Sequence, residues 1–417
     1  MAARPAPKKA RPHPIGLALA GGGPFGAIWE TGALMALSES LEGVDFNDFD
    51  IYVGVSAGSF LSAALANGIR PSEIYGLFIE DETLDGALTP EVFMRPAFRE
   101  FMSRAARVPP LVVQSLWHYA MNPLSTGTLE SFARLGEAIP TGVFENESIN
   151  KYLTKAFSAP GTSNDFRKLK KKLYLVATDL DTGESVSFGR AGRDHISISR
   201  AVQASAALPG LFPPVEIEGR HYVDGALKKT LHASEALADG AKLVICVNPI
   251  VPYDAKLAAA KGGRQAGNLV DGGLPVVLSQ TFRAIIHSRM KVGISKYAKE
   301  YRDADVLLFE PAADDSETFF TNIFSYATRQ KICEHAYTRT RKDLLKRRYE
   351  LEPVLARHGI RLRVDLLQQE RHLDVRLMPH RKTAWAPERL ESAAADLRDT
   401  LVDLARWMDD QKGARLG

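Results

Sequence analysis

The sequence predicts an α/β fold of three layers, α/β/α, with a mostly parallel central sheet and a C-terminal helical extension. Two observations carry this. Short β-branched or aliphatic bursts alternate with stretches whose apolar residues recur at helical spacing. Glycine-rich turns fall where a burst hands over to such a stretch.

The first burst, Ile15 to Ala20, precedes a helical pattern over Phe25 to Ser40, and the second, Ile51 to Val55, precedes Ser59 to Asn67. Leu173 to Thr178 reads as a third strand and Ile196 to Leu208 as a third helix. After the strand-like text VEIEGRHYV come a helix over Leu231 to Asp239, a strand over Leu243 to Val247 and a late strand over Val306 to Phe309. Asp81 to Thr128 interleaves large apolar side chains with Arg95, Arg99, Arg104 and Arg107 and is expected as a helical insertion. Gly262 to Gly273 reads as a loop before a helix around Leu278 to Lys299. Beyond Asp314 the chain turns charged and helical, ending where Leu390, Ala394, Leu397, Leu401, Leu404 and Met408 share one face. The expected organisation is a disordered basic leader over 1–14, a main domain over 15–313 and a helical extension over 314–417.

Among 417 residues, 45% hydrophobic and 25% charged side chains are the proportions of an ordinary globular protein. Lys and Arg total 53 against 50 Asp and Glu, so the net charge of +3 gives no footprint for nucleic acid. Cys246 and Cys333 are the only cysteines, which excludes a disulfide framework and a multi-thiolate metal site. A reducing, cytoplasmic setting is therefore expected. The leader lacks the apolar stretch of a secretory signal. No apolar run reaches the ~18 residues of a membrane span, so membrane contact is expected to be peripheral.

Three motifs carry chemistry. Gly54, Val55, Ser56, Ala57, Gly58 is a G-x-S-x-G sequence between an expected strand and an expected helix. A serine on that turn is pushed out at the carboxyl edge of the sheet, with a helix N-terminus behind it to favour developing negative charge. Gly21, Gly22, Gly23, Pro24, Phe25, Gly26 joins another strand to a helix. Its glycines let two N–H groups converge on one oxygen, the requirement of an oxyanion hole. The same run satisfies G-x-G-x-x-G, but a dinucleotide site needs an acidic residue at the end of the second strand, and Val55 and Ser56 stand there. The third motif is Asp224, Gly225, Ala226. A serine at neutral pH needs a base, and a carboxylate shielded from water can serve.

In chain order, glycine loop, then G-x-S-x-G, then Asp-Gly-Ala, the three motifs resemble the patatin-like phospholipases, as do VATDLDTGES from Val176 and ASAALPGLFPPV from Ala204; the resemblance runs from about Ile15 to Pro249. It implies a patatin-like fold, Ser56 as nucleophile, Asp224 as the partner in a Ser-Asp dyad, and Gly22 and Gly23 as backbone donors of the oxyanion hole. Gly21, Gly26, Gly54, Gly58 and Gly225 support these motifs. It implies hydrolysis of lipid acyl esters with no cofactor and no metal. The sequence departs from the family where a loop cation is replaced by Phe25, and where Asn and Pro after the Asp motif are replaced by Lys229 and Leu231.

An ordinary Ser-Asp-His triad would instead recruit His232, His287 or His335, and His221 lies close to Asp224 in sequence. An acyltransferase or thioesterase would use the same dyad, and a silent lipid-binding scaffold would keep the fold alone. The apolar face of the last helix would serve docking onto its own domain or a homodimer.

Overall fold

The computed structural model describes residues 13–79, 141–261, 269–320 and 326–373. The expected insertion over 81–128, the last helix over 390–408 and the glycine-rich 262–268 lie outside the described residues, as does all but the end of the leader.

The chain enters the sheet at β1 (Ile15–Leu19), runs through α1 (Gly23–Ser40) and the two-residue β2 (Leu41–Glu42), and returns at β3 (Ile51–Val55). Helices α2 (Ala57–Ala66) and α3 (Pro71–Ile79) follow. After α4 (Glu147–Phe157) come β4 (Lys172–Asp179), β5 (Ser185–Phe188), α5 (Ile198–Ser205), and the hairpin of β6 (Val215–Ile217) and β7 (Arg220–Asp224). Then come α6 (Ala233–Ala238), β8 (Leu243–Val247), α7 (Ala255–Ala260), the long α8 (Gly273–Glu300) and β9 (Asp305–Phe309). The chain closes through α9 (Ser316–Phe320), α10 (Tyr326–Lys346), α11 (Arg348–Arg357), β10 (Arg361–Leu362) and α12 (Val364–Leu367).

The pairing path is β6-β7-β4-β3-β1-β8-β9, with β5 also on β4. The strands from β4 through β3, β1 and β8 to β9 are parallel, whereas β5, β6 and β7 add antiparallel pairings. Because side chains alternate across a strand, the sheet buries two cores. Leu17, Leu19, Tyr52 and Ile245 face the one shared with α1 and α2, while Ala18, Val53, Val55 and Cys246 face the one shared with α6 and α8. β1, β3 and β8 are buried along their whole length, which is why they read as continuous apolar runs rather than alternating ones.

Helix α8 starts at Gly273, five residues ahead of the expected start, because Leu269–Gly272 is a 3₁₀ turn that leads straight into it. Pro275 falls in its first turn, where a missing N–H costs no helical hydrogen bond. The C-terminal region is helical as expected, and it shares the core of the sheet domain. A Cβ on Gly32 of α1 would stand 2.2 Å from the Cys333 carbonyl oxygen of α10, so the two backbones nearly touch. Ile332, Ala336 and Leu344 join Trp29 and Leu37 in one buried cluster, and β10 pairs antiparallel with β2. Among the described residues, no helix is long and apolar enough to cross a membrane.

Candidate active site

β3 ends at Val55 and α2 begins at Ala57, leaving Ser56 on the turn between them with φ 52° and ψ −122°. That left-handed value costs a non-glycine residue on the order of 1–3 kcal/mol, so the surroundings must hold it. The Ser56 amide donates to the Ser205 hydroxyl at 2.8 Å, and the Ser59 hydroxyl donates to the Ser56 carbonyl. On the far side of the turn, the Gly58 amide donates to the Ala20 carbonyl at 3.0 Å. A Cβ at Gly58 would stand 2.5 Å from that oxygen, and one at Gly54 would stand 2.5 Å from the Gly58 oxygen, so the spacing of the pentapeptide is a packing requirement.

Asp224 reaches Ser56 through the sheet. Leu175 and Val176 of β4 pair with β3 and β5 at once, while Ala177 and Thr178 pair with β5 and β7. A strand has two flanks, so β3 and β7 must share one, meeting head to head along β4. Val55 lies opposite Val176 and Asp224 opposite the next residue, Ala177. The ends of β3 and β7 therefore converge, which brings the Ser56 hydroxyl close enough to oppose the effect of burial on the Asp224 carboxyl. A Cβ at Gly225 would stand 2.2 Å from the Val176 carbonyl oxygen, which is what restricts the residue after Asp224 to glycine.

Ser56 is 6% exposed and Asp224 2%. Burial pushes the Asp224 carboxyl up to about 6, against the lowering pull of the Ser56 hydroxyl and of the Ala226 amide, which donates to it at 2.8 Å. Such a carboxyl is ionised at neutral pH yet basic enough to accept a proton. The histidines weighed for a triad are otherwise placed. His232 is buried with no hydrogen bond to its Nε2 among the described residues, and burial, then the Lys229 charge, push its pKa down to about 3, which keeps it neutral. His287 faces Glu310 at 3.3 Å, and His335 lies between Asp315 and Glu317, each at 2.7 Å. His221 is exposed on β7, and its carbonyl accepts from the Leu180 amide.

The glycine loop lies against the serine. A Cβ at Gly21 would stand 3.1 Å from the Ser56 Cβ, and one at Gly22 or Gly26 would press on the Pro249 ring. Gly22 is the N-cap of α1 and Gly23 its first residue, at φ +60°, a left-handed value that favours glycine. Amides in a first helical turn have no intrahelical acceptor, and among the described residues those of Gly22 and Gly23 donate to none. They are thus free to receive an oxygen. The carboxyl of Glu30, wholly buried, accepts the Ala20 amide at 2.9 Å and so holds the start of this loop.

Three contributors escaped the sequence reading. Ser205 lies within the ASAALPG text but gives no local sign that its hydroxyl bridges the Ser56 amide to the Val176 carbonyl, at 2.6 Å. Glu30 sits in a helix with no signal of burial. The third is Arg283 of α8. The Arg283 guanidinium lies 5.8 Å from the centre of the ring of Phe25, in the glycine loop, and 5.1 Å from that of Phe319. It donates to the Val251 carbonyl at 3.3 Å, burial lowers its pKa, and among the described residues no carboxylate pairs with it. Lys229 is exposed, whereas Leu231 is buried in the core under α6.

The chain matches the family model described as "Patatin-like phospholipase" over residues 17–237, more than half of its length. Two curated relatives, uncharacterized NTE family proteins of Mycobacterium bovis and Mycobacterium tuberculosis, are each 38% identical over 80 residues. That stretch covers 19% of this chain and 13% of theirs, so the match spans a small part of the relatives' length. Among solved structures, VipD from Legionella pneumophila gives a TM-score of 0.33 at 18% identity, covering 62% of this chain and 53% of that one. The type III effector protein ExoU gives 0.35 at 16% identity, covering 81% of this chain and 53% of that one. At these values neither likeness carries chemistry over to this chain.

Proposed function

Because this chain belongs to the patatin-like phospholipase family, we propose that it is a serine acyl hydrolase cleaving carboxylic ester bonds of lipids, with Ser56 as nucleophile and Asp224 as base. The observation that carries this reading is the convergence of β3 and β7 along β4, which brings a serine on a strained strand-to-helix turn towards the buried Asp224 carboxyl. Asp224 takes the Ser56 proton as the serine oxygen attacks the ester carbonyl. The oxyanion is received by the Gly22 and Gly23 amides, each such donor being worth roughly 2.7–4 kcal/mol. Protonated Asp224 then returns the proton to the leaving alkoxide, and an acyl-enzyme remains. A water, deprotonated by Asp224, attacks the acyl carbon and releases the carboxylic acid and free Ser56.

Arg283 takes the part of a head-group contact in this reading. A guanidinium that has no carboxylate partner among the described residues, set against the loop residue Phe25, suits the phosphate of a phospholipid. Both cysteines are buried and free, which suits a reducing compartment such as the cytoplasm, with the enzyme working peripherally on lipid.

The test is hydrolysis of a chain-length series of p-nitrophenyl esters and of phospholipid vesicles by the wild type, Ser56→Ala and Asp224→Asn. Loss of activity in both variants, with fluorophosphonate labelling only where Ser56 is present, supports the dyad. Activity indifferent to Ser56 refutes it. Products that depend on an added alcohol or thiol acceptor would mark an acyltransferase instead.

A further inference from the structure

We propose that the outward face of α8 is a lipid-docking surface that seats the active-site edge of the sheet on an anionic membrane. Of the twelve large apolar side chains exposed among the described residues, seven fall between Val270 and Val292. On the helix, Leu274, Leu278, Ile285 and Val292 follow spacings of four, seven and seven and so share one face, flanked by Val277 and Phe282. The opposite face is the one that packs: His287, Met290 and Tyr297 are buried against the protein. α8 is therefore apolar on two sides, and folding of the described chain accounts for one.

The position of this second face matters. β1, β3 and β8 run parallel, so Ser56 after β3, the glycine loop after β1 and Val251 after β8 all lie at the carboxyl end of the sheet. Gln280 of α8 exchanges two hydrogen bonds with the Tyr253 backbone, and Arg283 donates to the Val251 carbonyl. Arg289 donates to the Leu227 carbonyl, in the turn that follows Asp224. The first half of α8, which carries Leu274, Leu278 and Ile285, thus stands beside the candidate active site.

Charge selects the occupant. α8 carries Arg283, Arg289, Lys291, Lys296 and Lys299 against the single carboxylate of Glu300, which pairs with Lys296 at 3.2 Å. Lys291 and Lys299 are exposed and, among the described residues, have no carboxylate partner. Apolar side chains rimmed by cations are the composition of a helix lying in the plane of an anionic lipid interface. A helix shared with a second copy of the chain would instead bring like charges together along its length. The proposal rests on the lipid-hydrolase reading for its purpose but not for its test.

The test uses the full chain carrying Ser56→Ala, so that binding is read without turnover. Cosedimentation is measured with vesicles of phosphatidylcholine alone and with about a third phosphatidylglycerol. Binding should be stronger to the anionic vesicles and fall about tenfold or more on Leu278→Asp with Ile285→Asp. In the Ser56-intact protein the same pair should leave p-nitrophenyl butyrate hydrolysis unchanged. Lys291→Glu with Lys299→Glu, which leaves the apolar face alone, should lose the preference for anionic vesicles and serves if the first pair fails to fold. Wild-type protein that ignores both vesicles, or binding that both pairs leave intact, overturns the proposal. So does a dimer in sedimentation analysis that the apolar pair dissolves, since a second copy would then own the face. Vesicle binding by a chain that hydrolyses no ester would sink the hydrolase reading and leave the docking surface standing.

Discussion

The backbone amide of Ser56 donates to the hydroxyl of Ser205, which donates in turn to the Val176 carbonyl, so one small side chain ties the strained turn to β4. The next segment serves the other half of the site, where the Asp224 amide donates to the Ala207 carbonyl at 3.0 Å. α5 and its exit thus position both Ser56 and Asp224.

Ser205→Ala leaves the Ser56 amide and the Val176 carbonyl unpaired in a buried place, which should cost on the order of 1–3 kcal/mol of stability. A serine no longer held at its angle should show kcat reduced about tenfold with KM little changed. Steady-state kinetics alongside thermal unfolding separate the two effects. A fall in stability with kcat intact would reduce Ser205 to a packing residue.

With Asp224 as the base, its ionisation should set the acid limb of the pH profile. The base must be ionised to act, so kcat/KM should rise through a pH near 6 and be nearly lost at pH 4. Stability runs the other way. A carboxyl whose folded value is raised above its unfolded one favours the fold below the unfolded value and loses that contribution as pH rises through about 6. Asp224→Asn should therefore lower activity by roughly 10²–10⁴-fold. It should also raise the melting temperature at pH 8 while leaving it nearly unchanged at pH 4. Melting curves at the two pH values check the sign.

Arg283→Gln should raise KM about tenfold for a phospholipid with an anionic head group while leaving a neutral p-nitrophenyl ester unaffected. A uniform loss on both substrates would show that Arg283 supports the loop through Phe25 instead of meeting the substrate.

Gly32→Ala tests the union of α1 and α10. The new methyl would stand 2.2 Å from the Cys333 carbonyl oxygen, so the helices must part, at an expected cost of roughly 1–3 kcal/mol or more. Denaturant unfolding should show the lower midpoint. An unchanged midpoint would mean that the C-terminal helices contribute little to the fold's stability.

The sequence by itself determined the strand-and-helix alternation from Ile15 to Val247 and the placing of Ser56 between a strand and a helix. These are local matters: buried parallel strands need continuous apolar runs, and tight turns need glycine at fixed offsets. Only the tertiary structure decided that β7 meets β3 head to head on one flank of β4, that Ser205 and Ala207 brace the two ends, and that Arg283 arrives beside Phe25. It also set the helices after Asp314 into the core of α1, where a glycine in one helix admits the backbone of another. Such relationships depend on strand register and on close approach between distant segments, and neither leaves a periodic mark along the chain.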